Sequence, residues 1–179
     1  APMLLTATTT DHDAPIDVAP LTFTVLNSGQ GDCALLQCPN GANILIDCGS
    51  TSARSNNTSR EMVQARLDEL IGADGAIDVL VVTHPDKDHY NWIESVVGSH
   101  PVRRAVHSLS LDRYDVDGFN RWLTTHVSDI RTLPAEYHEE EPSDLFDCGA
   151  SSIRVLAANV APTGSHARDP GWISNSSSI

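Results

Sequence analysis

Lysine is nearly missing from this chain. Lys87 stands alone among 11 basic residues, and 24 acidic residues leave a net charge of −13. Such a balance is a poor match for a polyanion, because nucleic-acid binding usually calls for a basic face. A bound cation can reverse the sign locally, but most of these carboxylates read as a solvated acidic surface. No run nears the ~20 apolar residues that cross a bilayer. The first twenty residues have neither a basic start nor an apolar stretch, so they are not an intact signal peptide. Residues 1–20, rich in Thr, Asp and Pro, read as a poorly ordered lead, and residues 21–179 as one domain.

Paired cysteine motifs are missing as well. The four cysteines, Cys33, Cys38, Cys48 and Cys148, include no C-x-x-C, which argues against a cysteine-based zinc knuckle. Cys33 and Cys38 bound one strand-like run and face opposite sides, so they cannot pair with each other. All four read as small buried hydrophobes in a reducing compartment, which favours the cytoplasm. Gly29-Gln30-Gly31 lacks the Lys-Ser/Thr ending and following helix of a phosphate-cradling loop. No recognisable context suggests a Ser-His-Asp triad, and there is no internal repeat.

What is present is a run of strands, then a helix, then alternating strands and helices. Leu21–Leu26, Cys33–Cys38 and Ala42–Cys48 read as strands, with Asn40-Gly41 as the hairpin turn between the last two. Thr58 and Glu61 form a capping-box pattern opening a helix whose apolar face is Met62, Leu67, Leu70 and Ile71 and whose end is near Gly72. Ile77–Thr83 is nearly all apolar and β-branched, a strand buried on both faces. A short helix through Val97, a strand over Val102–Ser108, a helix over Val116–His126 and a strand over Ile153–Ala158 follow. This order predicts a layered α/β or α+β sandwich.

The chemistry is concentrated in Thr83-His84-Pro85-Asp86-Lys87-Asp88-His89. Four potential metal ligands lie directly after a buried strand, on a loop that can wrap them around one point. Pro85 makes the loop start abruptly, disfavouring helix at His84 and fixing its own φ. Imidazole and carboxylate together suit Zn²⁺, Mn²⁺ or Fe²⁺. Two His and two Asp so placed outweigh the alternative of a solvated turn with chance acids and histidines.

These residues resemble the signature of the metallo-β-lactamase superfamily, H-x-H-x-D-H. His84, Asp88 and His89 fit it, and Asp86 stands where a second His is usual. The H-P-D-x-D-H form is similar to the hydrolase domain of ComEC-type DNA-uptake proteins. Phe23–Gly49, including the G-Q-G-D turn at Gly29–Asp32, resembles that group's opening strands, and Asn175–Ile179 resembles its N-x-x-S segment. The resemblance implies an αββα sandwich, here the N-terminal half plus part of the second. It implies a hydrolase with one or two divalent metals, Zn or Mn, in which His84 and Asp86 bind one ion and Asp88 and His89 the other. Asp88 also holds the attacking water, and a shared hydroxide is the nucleophile. Asp86, a harder ligand than imidazole, shifts preference toward Mn²⁺ or Mg²⁺. Asn175 or His166 is the candidate further ligand. Asp32 and Asp47 are expected to orient metal ligands from behind, with turn-capping an equal alternative for Asp32.

The resemblance also implies a bridging Asp and a last His beyond the residues matched. The expectation is therefore that a completing polypeptide, a C-terminal remainder or a swapped protomer, supplies them and covers an apolar sheet face. A phosphodiester, nucleic acid first, is the expected substrate. A small ester, lactone or amide, or a non-catalytic binding role, are the alternatives. His100, His107, His126 and His138 lie in contexts better suited to surface or packing roles. Trp92, Trp122 and Trp172 read as packing residues, whereas Tyr90 and Asn91 are placed to line a cleft.

Overall fold

The computed structural model describes residues 19–51, 60–114 and 118–162 together with residues 164, 168 and 179. Thr58, His166, Trp172 and Asn175 lie outside these described residues, as does most of the lead. The elements are β1 (Thr22–Val25), β2 (Ala34–Gln37), β3 (Asn43–Ile46), α1 (Arg60–Ile71), β4 (Ile77–Val82), α2 (Lys87–Tyr90), α3 (Ile93–Val97), β5 (Val102–His107), α4 (Phe119–His126) and β6 (Asp129–Thr132).

All six strands form one sheet in the order β1-β2-β3-β4-β5-β6, antiparallel through β3 and parallel from β3 onward. The β2–β3 turn is the expected hairpin. Gly41 takes φ 85°, and the Asn40 side-chain oxygen accepts the Ala42 N–H. Gly72, at φ 77°, ends α1 as expected by donating its N–H to the Asp68 carbonyl.

Alternation along the strands divides the core in two. Leu35, Leu45, Leu80 and Ala105 share one face and pack under α1, α3 and α4 through Val63, Leu67, Ile93, Val96 and Leu123. Ile44, Val79, Val81 and Val106 share the other and pack against Leu133, Phe146, Val155 and Ala158. β4 is thus buried on both sides, which explains its unbroken apolar sequence. The second face is not bare. The segment from Leu133 to Ala158 covers it over β3–β5, while Phe23 and Val25 on β1 remain 59% and 72% exposed.

Several expectations are corrected. Ile153–Ala158 is not a ladder strand; it lies over the sheet as irregular chain with one bridge, Tyr137 to Ala158. Its apolar residues serve packing rather than pairing. β6 is a strand that the sequence does not announce, because Asp-Ile-Arg-Thr carries no apolar alternation. On α1, Val63 is buried and Met62 exposed. The cysteines are not free thiols. Cys33 pairs with Cys48 and Cys38 with Cys148, leaving none unpaired. Cys33 and Cys38 do face opposite cores, and each bonds a cysteine on its own side. Disulfides are rare in reducing compartments, so this pairing runs against the cytoplasmic expectation.

Candidate metal centre

Parallel strands deliver their carboxyl ends to one edge of the sheet, and the motif sits there. Thr83 and His84 follow the tip of β4. Asp86 is the residue before α2, at φ −81° and ψ 139°, and the single turn of α2 carries Asp88 and His89. Pro85 supplies the break between strand and helix. The loop is therefore a strand tip, an extended corner and a helical turn, which brings His84 and His89 together with ring centroids 3.7 Å apart.

Two neighbouring strands buttress this loop. At the end of β3, buried Asp47 adopts φ 53°, a left-handed conformation tolerated by Asp but uncommon for any residue with a side chain. Its carboxylate accepts the Thr83 N–H at 2.8 Å, the Thr83 hydroxyl at 2.6 Å and His89 Nδ1–H at 2.7 Å. Just before β2, the Asp32 N–H donates to the Asp88 carbonyl, and just after β3 the Cys48 N–H donates to the His89 carbonyl. Gly31 and Gly49 permit this contact. A Cβ on Gly31 would stand 2.6 Å from the Asp88 carbonyl oxygen, and one on Gly49 would stand 2.5 Å from the Asp88 carbonyl carbon. Both glycines are required by close backbone approach.

The tautomers follow from these bonds. Asp47 accepts from Nδ1 of His89, so the lone pair of the neutral ring is on Nε2. The Thr83 hydroxyl gives its proton to Asp47, so His84, with Nδ1 3.1 Å from that oxygen, donates there and presents Nε2 toward Asp86 at 3.6 Å. Burial lowers the His84 pKa, and neighbouring His89 lowers it further, outweighing the nearby carboxylates. For His89 burial pulls downward, but the Asp47 hydrogen bond and the Asp47 and Asp32 charges prevail and the pKa is raised.

Among the described residues no three His, Cys, Asp or Glu side chains share one metal-sized centre. The donors stand as pairs instead. Two ligands about 2.1 Å from one ion, at a tetrahedral angle, lie about 3.4 Å from each other. The 3.6 Å between His84 Nε2 and Asp86 Oδ2 is close to that spacing. Two imidazoles with Nε2 outward, backed by a carboxylate, and Asp86 and Asp88 half-exposed beside them are donors of the types a divalent cation takes.

Asp32 also reaches the loop, on the Nε2 side of His89, whereas Asp47 takes the Nδ1 side. Thr83 is the participant that sequence reasoning missed; its only signal is a hydroxyl where an apolar strand gives way to the first His. Tyr90 does not line a cleft: it is buried against Tyr114 and Phe119. Asn91 instead clamps the Ser50 backbone, accepting its N–H and donating to its carbonyl. Trp122 packs in the core. His100 bonds Asp68 and the Gly75 carbonyl, whereas His107, paired with Val82 at the end of β5, turns its Nδ1 to the carbonyls of Ser108 and Leu109. A groove of about 760 Å³ around Asn40, Asp78 and Arg103 lies at the opposite edge of the sheet, where the parallel strands begin.

A family model described as "Metallo-beta-lactamase superfamily" matches residues 26–172. Among solved structures, the chain is similar to "CmlA beta-hydroxylase E377D mutant", with 16% identity and a TM-score of 0.39. That match covers 73% of this chain but 22% of the other, so the chain spans about a fifth of that protein. A search of curated proteins finds no match.

Proposed function

Because the chain belongs to the metallo-β-lactamase superfamily, we propose that it is a metal-dependent hydrolase, with His84 and Asp86 holding one divalent cation and Asp88 and His89 a second. The observation that carries this reading is the single loop that presents all four side chains at the tip of β4, backed by buried Asp47. Zn²⁺ or Mn²⁺ suits these donors, and when bound supplies Lewis acidity and a water of lowered pKa. The remaining work belongs to the chain. Asp47 fixes the His89 tautomer and ring direction. Burial disfavours the charged form of His84, which favours a free lone pair on Nε2. Asp88 accepts a hydrogen bond from the attacking water and aims it.

A phosphodiester is the first substrate class. The H-P-D-x-D-H form of the motif supports it. The second reading, hydrolysis of a small neutral ester, lactone or amide, is favoured by the net charge of −13, which repels polyanions. A third, a binding module without catalysis, is favoured by the absence of a three-donor cluster among the described residues. Elemental analysis of purified protein separates these readings. Near-stoichiometric metal that is lost in His84→Ala supports the enzyme, whereas metal-free protein supports the module. Bis-p-nitrophenyl phosphate, DNA and RNA left untouched by the Mn²⁺- or Zn²⁺-loaded protein would rule out the phosphodiesterase.

The same reading proposes a completing polypeptide, a strand-forming segment that brings an Asp and a His to the pairs. Its support is the paired rather than closed donor set, the exposed Phe23 and Val25 on β1, and a cavity of about 310 Å³ lined by Leu36, Ile46, Phe146 and exposed Leu156. Sedimentation showing a stable, folded monomer of this chain that binds metal unaided would refute it.

A further inference from the structure

We propose that Asp32 is itself a cation ligand, sharing one ion with His89. This rests on the metal-dependent reading above and extends its donor set to a residue outside the histidine motif.

Asp32 Oδ2 lies 3.5 Å from His89 Nε2. That is too far for an effective hydrogen bond, and it is within about 0.1 Å of the separation expected for two ligands of one tetrahedral ion. The nitrogen it faces is the one Asp47 leaves for a metal, since Asp47 holds Nδ1 at 2.7 Å. The two carboxylates thus flank one imidazole and do different things. Asp47 is buried and orients the ring; Asp32, its side chain 70% exposed, faces the ring's outward nitrogen.

The approach is built into the backbone. The Asp32 N–H donates to the Asp88 carbonyl at 3.2 Å, and the Gly49 N–H donates to the Asp32 carbonyl at 3.0 Å. Gly31 brings the turn so close under the loop that a Cβ there would stand 2.6 Å from the Asp88 carbonyl oxygen. With both its backbone N–H and its carbonyl hydrogen-bonded, the Asp32 main chain is fixed within side-chain reach of His89. The resulting geometry mirrors the other pair, His84 Nε2 to Asp86 Oδ2 at 3.6 Å. Each pair is one imidazole and one carboxylate, and Asp88 lies between Asp86 and His89 in the chain. Where Asp86 replaces an imidazole and leaves a harder site, Asp32 adds a second hard donor, so the centre favours ions that accept oxygen.

The test is a Co²⁺ titration of the complete protein and of Asp32→Ala, Asp32→Asn and His84→Ala, read by affinity and by the visible absorption of the bound ion. Circular dichroism without metal checks the fold, and Asp32→Asn, which keeps the side-chain shape, serves if Asp32→Ala does not fold. The expected result is a tenfold or greater loss of affinity at one site and a changed Co²⁺ spectrum in the Asp32 variants. If those variants bind within twofold of the parent with the same spectrum while His84→Ala loses the ion, Asp32 is not a ligand and the metal reading stands. If the parent binds no Co²⁺ at all, both fall together.

Discussion

Replacing Asp47 by Asn changes one atom and one charge at a buried side chain that ties β3 to the motif loop. Asn tolerates the left-handed backbone at φ 53° about as well as Asp, so the substitution isolates the hydrogen bonding. Three donors converge on this carboxylate, at 2.8, 2.6 and 2.7 Å. An amide oxygen can keep the Thr83 N–H, but the amide NH₂ then faces the Thr83 hydroxyl and His89 Nδ1. The hydroxyl rotates to accept; the imidazole accepts only by moving its proton to Nε2. Replacing charge-assisted bonds by neutral ones costs about 1 kcal/mol each, hence about 2–3 kcal/mol in all. The forced tautomer removes the Nε2 lone pair and weakens cation binding by about 10–100-fold. Asp47→Ala orphans all three donors and costs more, about 3–5 kcal/mol. Guanidinium unfolding followed by tryptophan fluorescence reads the first quantity, and cation titration the second. If Asp47→Asn stays within about 0.5 kcal/mol of the parent and within twofold in affinity, Asp47 does not organise the loop.

Three further outcomes follow from other parts of the fold. Glu139 accepts hydrogen bonds from Tyr137, Ser143 and the Val155 N–H, and despite the upward pull of burial its pKa is lowered by these bonds. A depressed carboxylate stabilises above its unfolded pKa and loses that contribution as pH falls through its folded value. Thermal melts should therefore show the parent losing stability below about pH 4.3, with Glu139→Gln already weaker at pH 7 and flatter on acidification; parallel curves would contradict the assignment. The Cys38–Cys148 bond closes a separation of 110 residues, for which chain entropy predicts about 4–5 kcal/mol. The Cys38→Ser/Cys148→Ser pair should lose about that much in unfolding, and non-reducing peptide mapping that finds free thiols would void the prediction. Gly31→Ala drives a Cβ into the Gly49 carbonyl oxygen and should cost about 1–3 kcal/mol. Gly41→Ala, with open space around it at φ 85°, should cost only the backbone term of about 1–2 kcal/mol; a Gly31→Ala protein that unfolds at the parent's midpoint would mean the close approach is not real.

Local signals were legible and non-local ones were not. The β2–β3 hairpin, the Gly72 cap of α1 and the doubly buried β4 each announce themselves within a few residues, through positive-φ residues or a run of β-branched side chains. β6 has no such signal; its strand state comes from pairing with β5. Ile153–Ala158 carries the opposite error, an apolar run that packs on a sheet without joining it. The cysteine pairing depends on which residues meet across the fold, and sequence alone cannot deduce connectivity.

The candidate site divides the same way. His84, Asp86, Asp88 and His89 are near neighbours in the chain, and Pro85 sets the break between strand and turn, so the sequence by itself determined that imidazoles and carboxylates gather at the tip of β4. Which nitrogen each ring turns outward is decided by Asp47 and Thr83, and Asp47 is 42 residues from His89. The contact between the Asp32 turn and the motif rests on two glycines whose neighbours exist only once β2, β3 and β4 are side by side. Donor identity is a property of the chain; donor direction is a property of the packed sheet, because hydrogen bonds that orient a ring require partners that only tertiary structure brings within about 3 Å.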